Sequence, residues 1–383
     1  MSIPYDASLA PQGDSQPAEP APGWSTAAAA LRQGDFHTRW DAVKQISGSD
    51  EQGVAALLGM LQDNDLDWDT RWFAARSLGK FDRPDVIATL IEAFRTTDDD
   101  DLRQALGEAL TQIGPSAVVV LTELLPQATH RRLAVQALAR IHHPATIAPL
   151  LTAKDDPQIE VRATVLEALT QFVAPDFLPV VVAALSDPAA PVRLAAIRGL
   201  ISLKRYISPD QWVTWLEPCL WDRHLAVAQQ AGQALGRQPS AAATQGLLTL
   251  LHTPNTPVAL QIVAIQALSW QGTPLAIEGL LGAWEITDPT GRIAIVQGLG
   301  KLAFTAVEVK GSAAISARLA QWLNDLPATA TNSPLRRHLV VAIGQLGVLA
   351  EVPCLQRLLT DDDEGVRIHA EVALQWLGVT QQG

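Results

Sequence analysis

Two cysteines are all that this chain of 383 residues contains, and Cys219 and Cys354 stand 135 positions apart. Both fall in apolar helical stretches, so the expectation is a pair of buried reduced thiols rather than a disulfide. A metal site is equally poorly supplied. The eight histidines (His37, His130, His142, His143, His224, His252, His338 and His369) are scattered, and none stands four residues from another in the His-x-x-x-His spacing that places two ligands on one helical face. Aromatic residues make up only 5%. No strand-like alternation of polar and apolar residues occurs, and no nucleotide-binding glycine loop, hydrolase elbow or paired-carboxylate motif is present.

Positive charge is also in deficit. The formal net charge is −12 and the pI is near 5.1, whereas tracking a phosphate backbone requires a basic stripe, so a nucleic-acid partner is not expected. The acidic runs Asp98 to Asp101 and Asp361 to Glu364 precede helices, where carboxylates complement the helix N-terminus. Neither a secretory leader nor an unbroken apolar stretch of membrane-spanning length is present, so the expected location is the cytoplasm, without membrane insertion. Residues 1–23, rich in Pro, Ala and Gly, read as a disordered arm, and 379–383 as a short tail.

What the chain has in abundance is a repeated phrase, Arg-x-x-Ala-x-x-x-Leu. Its first position falls at residues 39, 71, 103, 131, 162, 193, 228, 261, 292, 339 and 367, and eight of these eleven are arginine. The eighth position is Ile46 and then leucine from Leu78 to Leu374, while the fourth is always Ala, Val, Leu or Ile. At about 100° per residue, offsets of three and seven lie within about 60° of the anchor, so each repeat presents one inward helical stripe. A second apolar segment separates these helices, and six such segments open on Pro84, Pro115, Pro144, Pro175, Pro209 and Pro274. Proline suits a first helical position, whose N–H has no intrahelical partner. Asp85–Phe94 and Gln211–Leu220 are each expected to fill roughly three turns.

The unit is therefore a helical hairpin of about thirty residues. The predicted fold is all-α: a right-handed solenoid of about eleven hairpins over 24–378. One spacing is stretched, between 292 and 339, which predicts an insertion loop near 303–334. The anchor arginines are expected to hydrogen-bond carbonyls or carboxylates of the adjacent repeat and so keep the stack in register.

The Asp…Val-Arg-x-x-Ala-x-x-x-Leu passages at Asp187 to Leu200 and Asp361 to Leu374 resemble the HEAT repeat, and more narrowly the HEAT-like repeats of phycobilin lyases. The aromatic-rich stretch Trp68 to Phe81 resembles an early repeat of a chromophore lyase subunit. That resemblance implies a scaffold handling a phycobiliprotein, an open-chain tetrapyrrole such as phycocyanobilin, or both, in chromophore attachment, detachment or phycobilisome turnover. No cofactor is required, and any enzyme of this kind would be a bilin lyase. The alternative is a non-catalytic protein-binding scaffold unrelated to pigment. An iron-dependent hydroxylase built on similar repeats carries His-Glu dipeptides, and this chain has none.

Candidate ligand-binding residues are His37, Arg39, Trp40, Trp68, Asp69, Arg71, Trp72 and Arg76, with Trp24 nearby. Indole faces can stack on a conjugated tetrapyrrole, guanidinium forks match propionates, and Asp69 can accept from pyrrole N–H groups. The same tryptophans can instead cap the core of an end repeat. A second aromatic group, Trp212, Trp215, Trp221, Trp270 and Trp284, contains a candidate partner patch at Trp212, Trp215 and Trp221. No catalytic residue is identified.

Overall fold

A computed structural model describes residues 24–45, 51–302 and 312–379; the expected arm (1–23) and residues 380–383 lie outside the described residues. No strand occurs among those described. Contacts group the chain into two compact units, residues 1–169 and 170–383.

The first unit contains α1 (Trp24–Gln33), α2 (Phe36–Gln45), α3 (Glu51–Gln62), α4 (Trp68–Leu78), α5 (Pro84–Thr96), α6 (Asp100–Ile113), α7 (Val118–Thr122), α8 (Ala128–Ile141) and α9 (Ile147–Thr152); α10 (Ile159–Gln171) runs up to and through its boundary. Successive pairs form hairpins, such as α3 with α4 and α5 with α6. The even-numbered helices α2, α4, α6 and α8 pack side by side in one layer, and α1, α3, α5 and α7 in another.

The second unit contains α11 (Leu178–Ala184), α12 (Ala190–Ser202), α13 (Pro209–Leu216), α14 (Leu225–Gly236), α15 (Ala241–His252), α16 (Val258–Gln271), α17 (Pro274–Gly282), α18 (Pro289–Lys301), α19 (Ser312–Asp325), α20 (Ser333–Leu346), α21 (Val352–Arg357) and α22 (Glu364–Trp376). Here too the even-numbered helices, α12 to α22, form a continuous layer. This is the all-α solenoid class expected from the period.

All eleven anchor positions fall in the even-numbered helices. Every fourth-position residue from Ala42 to Ala370 is buried, as is every eighth-position leucine from Leu78 to Leu374; Ile46 lies outside the described residues. The layer is close-packed because small residues meet across it. A Cβ built on Gly236 would lie 2.7 Å from Cα of Ala267, and one on Gly344 would lie 2.9 Å from Cα of Ala373. Glycine at these two positions lets neighbouring helices approach backbone to backbone.

The six prolines each open a helical element, but several of the elements are shorter than expected. Pro115, Pro144 and Pro175 start single 3₁₀ turns that lead into α7, α9 and α11, which have five, six and seven residues. Asp85–Phe94 does lie in a full helix. Gln211–Leu220 does not: α13 stops at Leu216, and Pro218, which has no N–H to donate, opens a 3₁₀ turn over Pro218–Trp221. In the stretched repeat, residues 303–311 lie outside the described residues, and much of the expected loop is the helix α19. Ile315, Leu319, Trp322 and Leu323 are buried along it, a helical spacing that decides the outcome. Trp322 stacks on Trp284, with centroids 3.9 Å apart and planes 7° from parallel.

The anchor arginines hold the turns between paired helices. Arg162 Nη1 donates to the carbonyls of Asp156 and Pro157 (2.8 and 3.2 Å), Arg193 Nη1 to those of Asp187 and Pro188 (2.7 and 3.0 Å), and Arg367 Nη1 to those of Asp361 and Asp362 (2.7 and 3.1 Å). These carbonyls, six and five residues upstream, belong to the arginine's own hairpin. Carboxylates make the link to the next one. Arg131 pairs with Asp156 (2.6 Å), Arg39 with Asp67 (2.9 Å), and Arg193 grips Asp222 through two bonds of 2.6 and 2.7 Å. Arg336, one turn before the anchor Leu339, grips Asp361 in the same way. The aspartates are themselves fixed, since Asp156, Asp222 and Asp361 each accept the backbone N–H two residues on. The acidic runs also act as caps: Asp99 accepts from Leu102 N–H and Asp363 from Val366 N–H.

These bonds set a pH dependence. Burial works to raise the carboxyls of Asp222 and Asp361, but the hydrogen bonds from Arg193 and Arg336, from the backbone N–H groups and the neighbouring positive charge outweigh it and leave both below the usual range. A depressed carboxylate contributes stability that is complete above its unfolded pKa and is lost as the pH falls through the folded value. His130 adds a second step. Burial, then the charges of Arg103 and Arg95, push its pKa down, so the unfolded state takes up its proton first and stability declines below about pH 6.5. Urea midpoints are therefore expected to be level between about pH 6.5 and 8, to dip below that window, and to fall again below about pH 4. A His130→Gln variant should lose only the upper step.

Candidate functional site

The first candidate cluster is built on α4. Asp67 caps this helix by accepting the Thr70 N–H; burial works to raise its carboxyl, but the bonds from Thr70 and Arg39 outweigh it and leave it below the ordinary range. Trp68, Trp72 and Arg76 follow at intervals of four residues, which places them on one face. The indoles of Trp68 and Trp72 lie 6.2 Å apart at 31°, and the Arg76 guanidinium sits 4.8 Å from the centroid of Trp72. Arg76 also reaches Glu108 on α6 at 3.4 Å. The outer indole is open, with Trp68 43% exposed.

The other candidates in this cluster are arranged differently. Arg39 is buried and committed to Asp67 (2.9 Å) and Asp69 (3.5 Å). Arg71 turns back to donate its Nε–H to the Leu61 carbonyl at 3.3 Å. His37 is exposed on α2. The side chains of Trp24 and Trp40 lie outside the described residues. The structure thus joins Trp68, Trp72 and Arg76 into one surface and places Arg39 and Arg71 in structural bonds.

Beyond Arg76 the exposed side of α6 and α8 forms a groove of about 380 Å³. Gln104, Glu108 and Thr111 form one wall and Arg132, Gln136 and Arg140 the other, over a floor of Gly107 and Ala137. Arg132 and Arg140 are exposed. Sequence reading passes over these residues because they fall outside the repeated columns. The signal that could have found the arginine wall is its spacing of four, at offsets of one, five and nine from the anchor.

The second candidate group separates by depth. Trp212 is 0% exposed and donates its indole N–H to the Ala234 carbonyl at 3.2 Å, so it is core rather than patch. Trp284 is buried against Trp322, and Trp215 is half-buried. Trp221 and Trp270 are open, at 50% and 54% exposure. Trp221 borders a shallow hollow of about 280 Å³ with Leu225, Pro254, Pro257 and Leu260.

Both cysteines are buried and free. Burial, reinforced by Asp222 and only partly opposed by Arg193, pushes the Cys219 thiol up to about 11, and burial also raises that of Cys354. The thiolate is the reactive form. Iodoacetamide at pH 8 is expected to label neither cysteine in the native protein and both after unfolding, as read by intact mass. Among the described residues, no group of three or more His, Cys, Asp or Glu side chains is placed to hold a metal ion, and no helix is long and apolar enough to cross a membrane.

Residues 25–111, 118–201 and 178–263, more than half of the chain, match the family of HEAT repeats. The chain belongs to the HEAT-repeat family. No curated protein matches it in sequence. Among solved structures, this HEAT-repeat chain is similar to the karyopherin Kap121p at 15% identity and a TM-score of 0.60, covering 92% of this chain and 48% of the other. It is also similar to importin beta in an ammonium sulfate condition, at 14% identity and a TM-score of 0.56, covering 92% and 57%. Human deoxyhypusine hydroxylase in complex with glycerol aligns over 86% of this chain and 97% of its own at 23% identity, with a TM-score of 0.30 that supports no argument. The chain spans less than two thirds of the length of these karyopherin chains, and at such identities the likeness is one of fold.

Proposed function

We propose that this HEAT-repeat chain is a protein-binding scaffold whose contacts are made by the side chains that depart from the repeat. The observation that carries this reading is the exposure of Trp68, Trp221 and Trp270, three indoles left open to water. Large aromatics are favoured as anchors in interfaces and are costly to leave in water. The anchor arginines, by contrast, are occupied within and between hairpins. Affinity capture with the wild type and with Trp68→Ala/Trp72→Ala, Trp221→Ala and Trp270→Ala variants, followed by reconstitution with each purified candidate partner, tests the reading. A direct complex that one of these variants weakens at least about tenfold supports it; complexes indifferent to all three overturn it.

A narrower reading follows from the resemblance to phycobilin lyases: a scaffold that presents phycocyanobilin to a phycobiliprotein in chromophore attachment, detachment or phycobilisome turnover. The ladder of Trp68, Trp72 and Arg76 favours it, since it offers two indole faces and a guanidinium on one surface. Arg39 and Arg71 offer it no free propionate partner in this arrangement. Titration with phycocyanobilin, with and without apo- and holo-phycobiliprotein, tests it. A red-shifted, saturable absorbance lost in the Trp68→Ala/Trp72→Ala variant supports pigment handling, and covalent transfer supports a lyase. No spectral response and no complex with phycobiliprotein removes the pigment reading and leaves the scaffold.

A further inference from the structure

The lining of the groove between α6 and α8 is opposite in charge to the chain as a whole. The whole chain is strongly acidic, yet the residues that line the groove include two arginines, Arg132 and Arg140, against one carboxylate, Glu108. That carboxylate is engaged twice, by Arg76 at 3.4 Å and by the Gln104 side-chain amide at 3.3 Å. Arg132 and Arg140 have no carboxylate partner among the described residues, and both are exposed along one wall. Between them stand Gln136 and, across the groove, Gln104, whose amides can donate to or accept from a peptide backbone, and Thr111, whose hydroxyl donates to the Gly107 carbonyl and can still accept. The floor of Gly107 and Ala137 leaves room for a chain to lie against the helices.

The geometry points to a binding site for an extended acidic peptide segment of a partner protein, held by Arg132 and Arg140 along the α6–α8 groove. This deepens the protein-binding reading and rests on it. The two arginines are eight residues apart on one helix, about 12 Å at 1.5 Å per residue. An extended chain covers that distance in about four residues at 3.3 Å each, and residues four apart project on the same side. The segment is thus one with carboxylates at positions j and j+4, and each guanidinium fork accommodates one of them. A nucleic acid is the less suitable polyanion, because the acidic body of the chain repels a long phosphate backbone, whereas a short acidic peptide touches only this strip.

The test uses fluorescence anisotropy with the full chain and labelled Gly/Ser decapeptides: one with two glutamates four residues apart, one with the glutamates adjacent, and one each with glutamine or lysine in place of the spaced pair. The spaced-glutamate peptide is expected to bind saturably with Kd below about 1 mM at low salt, at least about tenfold tighter than the glutamine peptide, and to weaken as salt rises to about 0.5 M. The adjacent pair should bind more weakly than the spaced one, and the lysine peptide should not bind. Arg132→Gln/Arg140→Gln should weaken the spaced-glutamate peptide at least about tenfold while leaving the melting temperature unchanged, which separates binding from folding. Equal binding by this variant, no saturable binding, or tighter binding of a short single-stranded oligonucleotide at the same residues would overturn the proposal. A protein partner that depends on Trp68 and Trp72 but not on Arg132 and Arg140 would overturn it too, while leaving the scaffold reading standing.

Discussion

Replacing Trp212 with alanine is expected to destabilise the chain by about 3–5 kcal/mol, the largest effect of any single substitution considered. Among the described residues, Trp212 is the largest fully buried side chain. It lies on α13, which a capping box of Ser208 and Gln211 starts and which ends at Leu216, just before Glu217 and Pro218. Such a short helix has little stability of its own and depends on what it buries. The indole also donates to the Ala234 carbonyl in the last turn of α14, tying the two helices of the hairpin together at 3.2 Å. Phenylalanine at this position restores most of the packing but not the donor, so Trp212→Phe should cost distinctly less than alanine, with about 1 kcal/mol of its loss coming from the hydrogen bond. Urea unfolding followed by far-UV circular dichroism measures both. A loss below about 1 kcal/mol in Trp212→Ala would mean that the indole is not core.

The second large effect is expected at Arg193. Its guanidinium satisfies the carbonyls of Asp187 and Pro188 and both oxygens of Asp222 at once. Both side chains of the ion pair are largely excluded from water, at 7% and 11% exposure. Truncation to alanine leaves a nearly buried carboxylate and two carbonyls without their donor, a loss of about 3 kcal/mol or more. Lysine does not restore the site, because a single ammonium cannot occupy four acceptors in the plane of the fork. Asp222→Asn should cost less than Arg193→Ala, since an amide oxygen still accepts the His224 N–H that Asp222 holds at 2.7 Å. In Arg193→Ala the bond that depresses the Asp222 carboxyl is gone, so the acid-side loss of stability below about pH 4 should also flatten.

The parts of the fold that recur are legible in the sequence, and the parts that occur once are not. The leucines from Leu78 to Leu374 mark the buried stripe because burial imposes the same demand on every hairpin. The arginine column is structural, as its regularity implies, but the period reveals only half of its partners: carbonyls come from the arginine's own turn, and carboxylates alone cross to the next hairpin, as at Arg131 and Asp156. The depth of each tryptophan cannot be read from its type. Trp212 and Trp221 are nine residues apart in the same segment, and the break at Pro218 sends one inward and the other to the surface. Helix α19 is hidden in the stretched repeat because its flanks, rich in Ala, Thr, Asn and Pro, resemble a loop. Arg132 and Arg140 escape notice because attention to a repeat selects positions that stay constant, whereas a binding surface is made of positions that vary.

The repeated arginines bond within and between hairpins, whereas Arg132 and Arg140 are exposed on the groove wall, and this division is what a set of alanine variants tests most directly. The measurement is the unfolding free energy of single alanine variants at Arg131, Arg162, Arg193 and Arg367, set beside those at Arg132 and Arg140. Losses above about 1 kcal/mol are predicted at each of the four repeated positions, and changes within about 0.5 kcal/mol at the other two. A neutral result at Arg193, or a loss at Arg132 or Arg140 as large as those in the column, would contradict it.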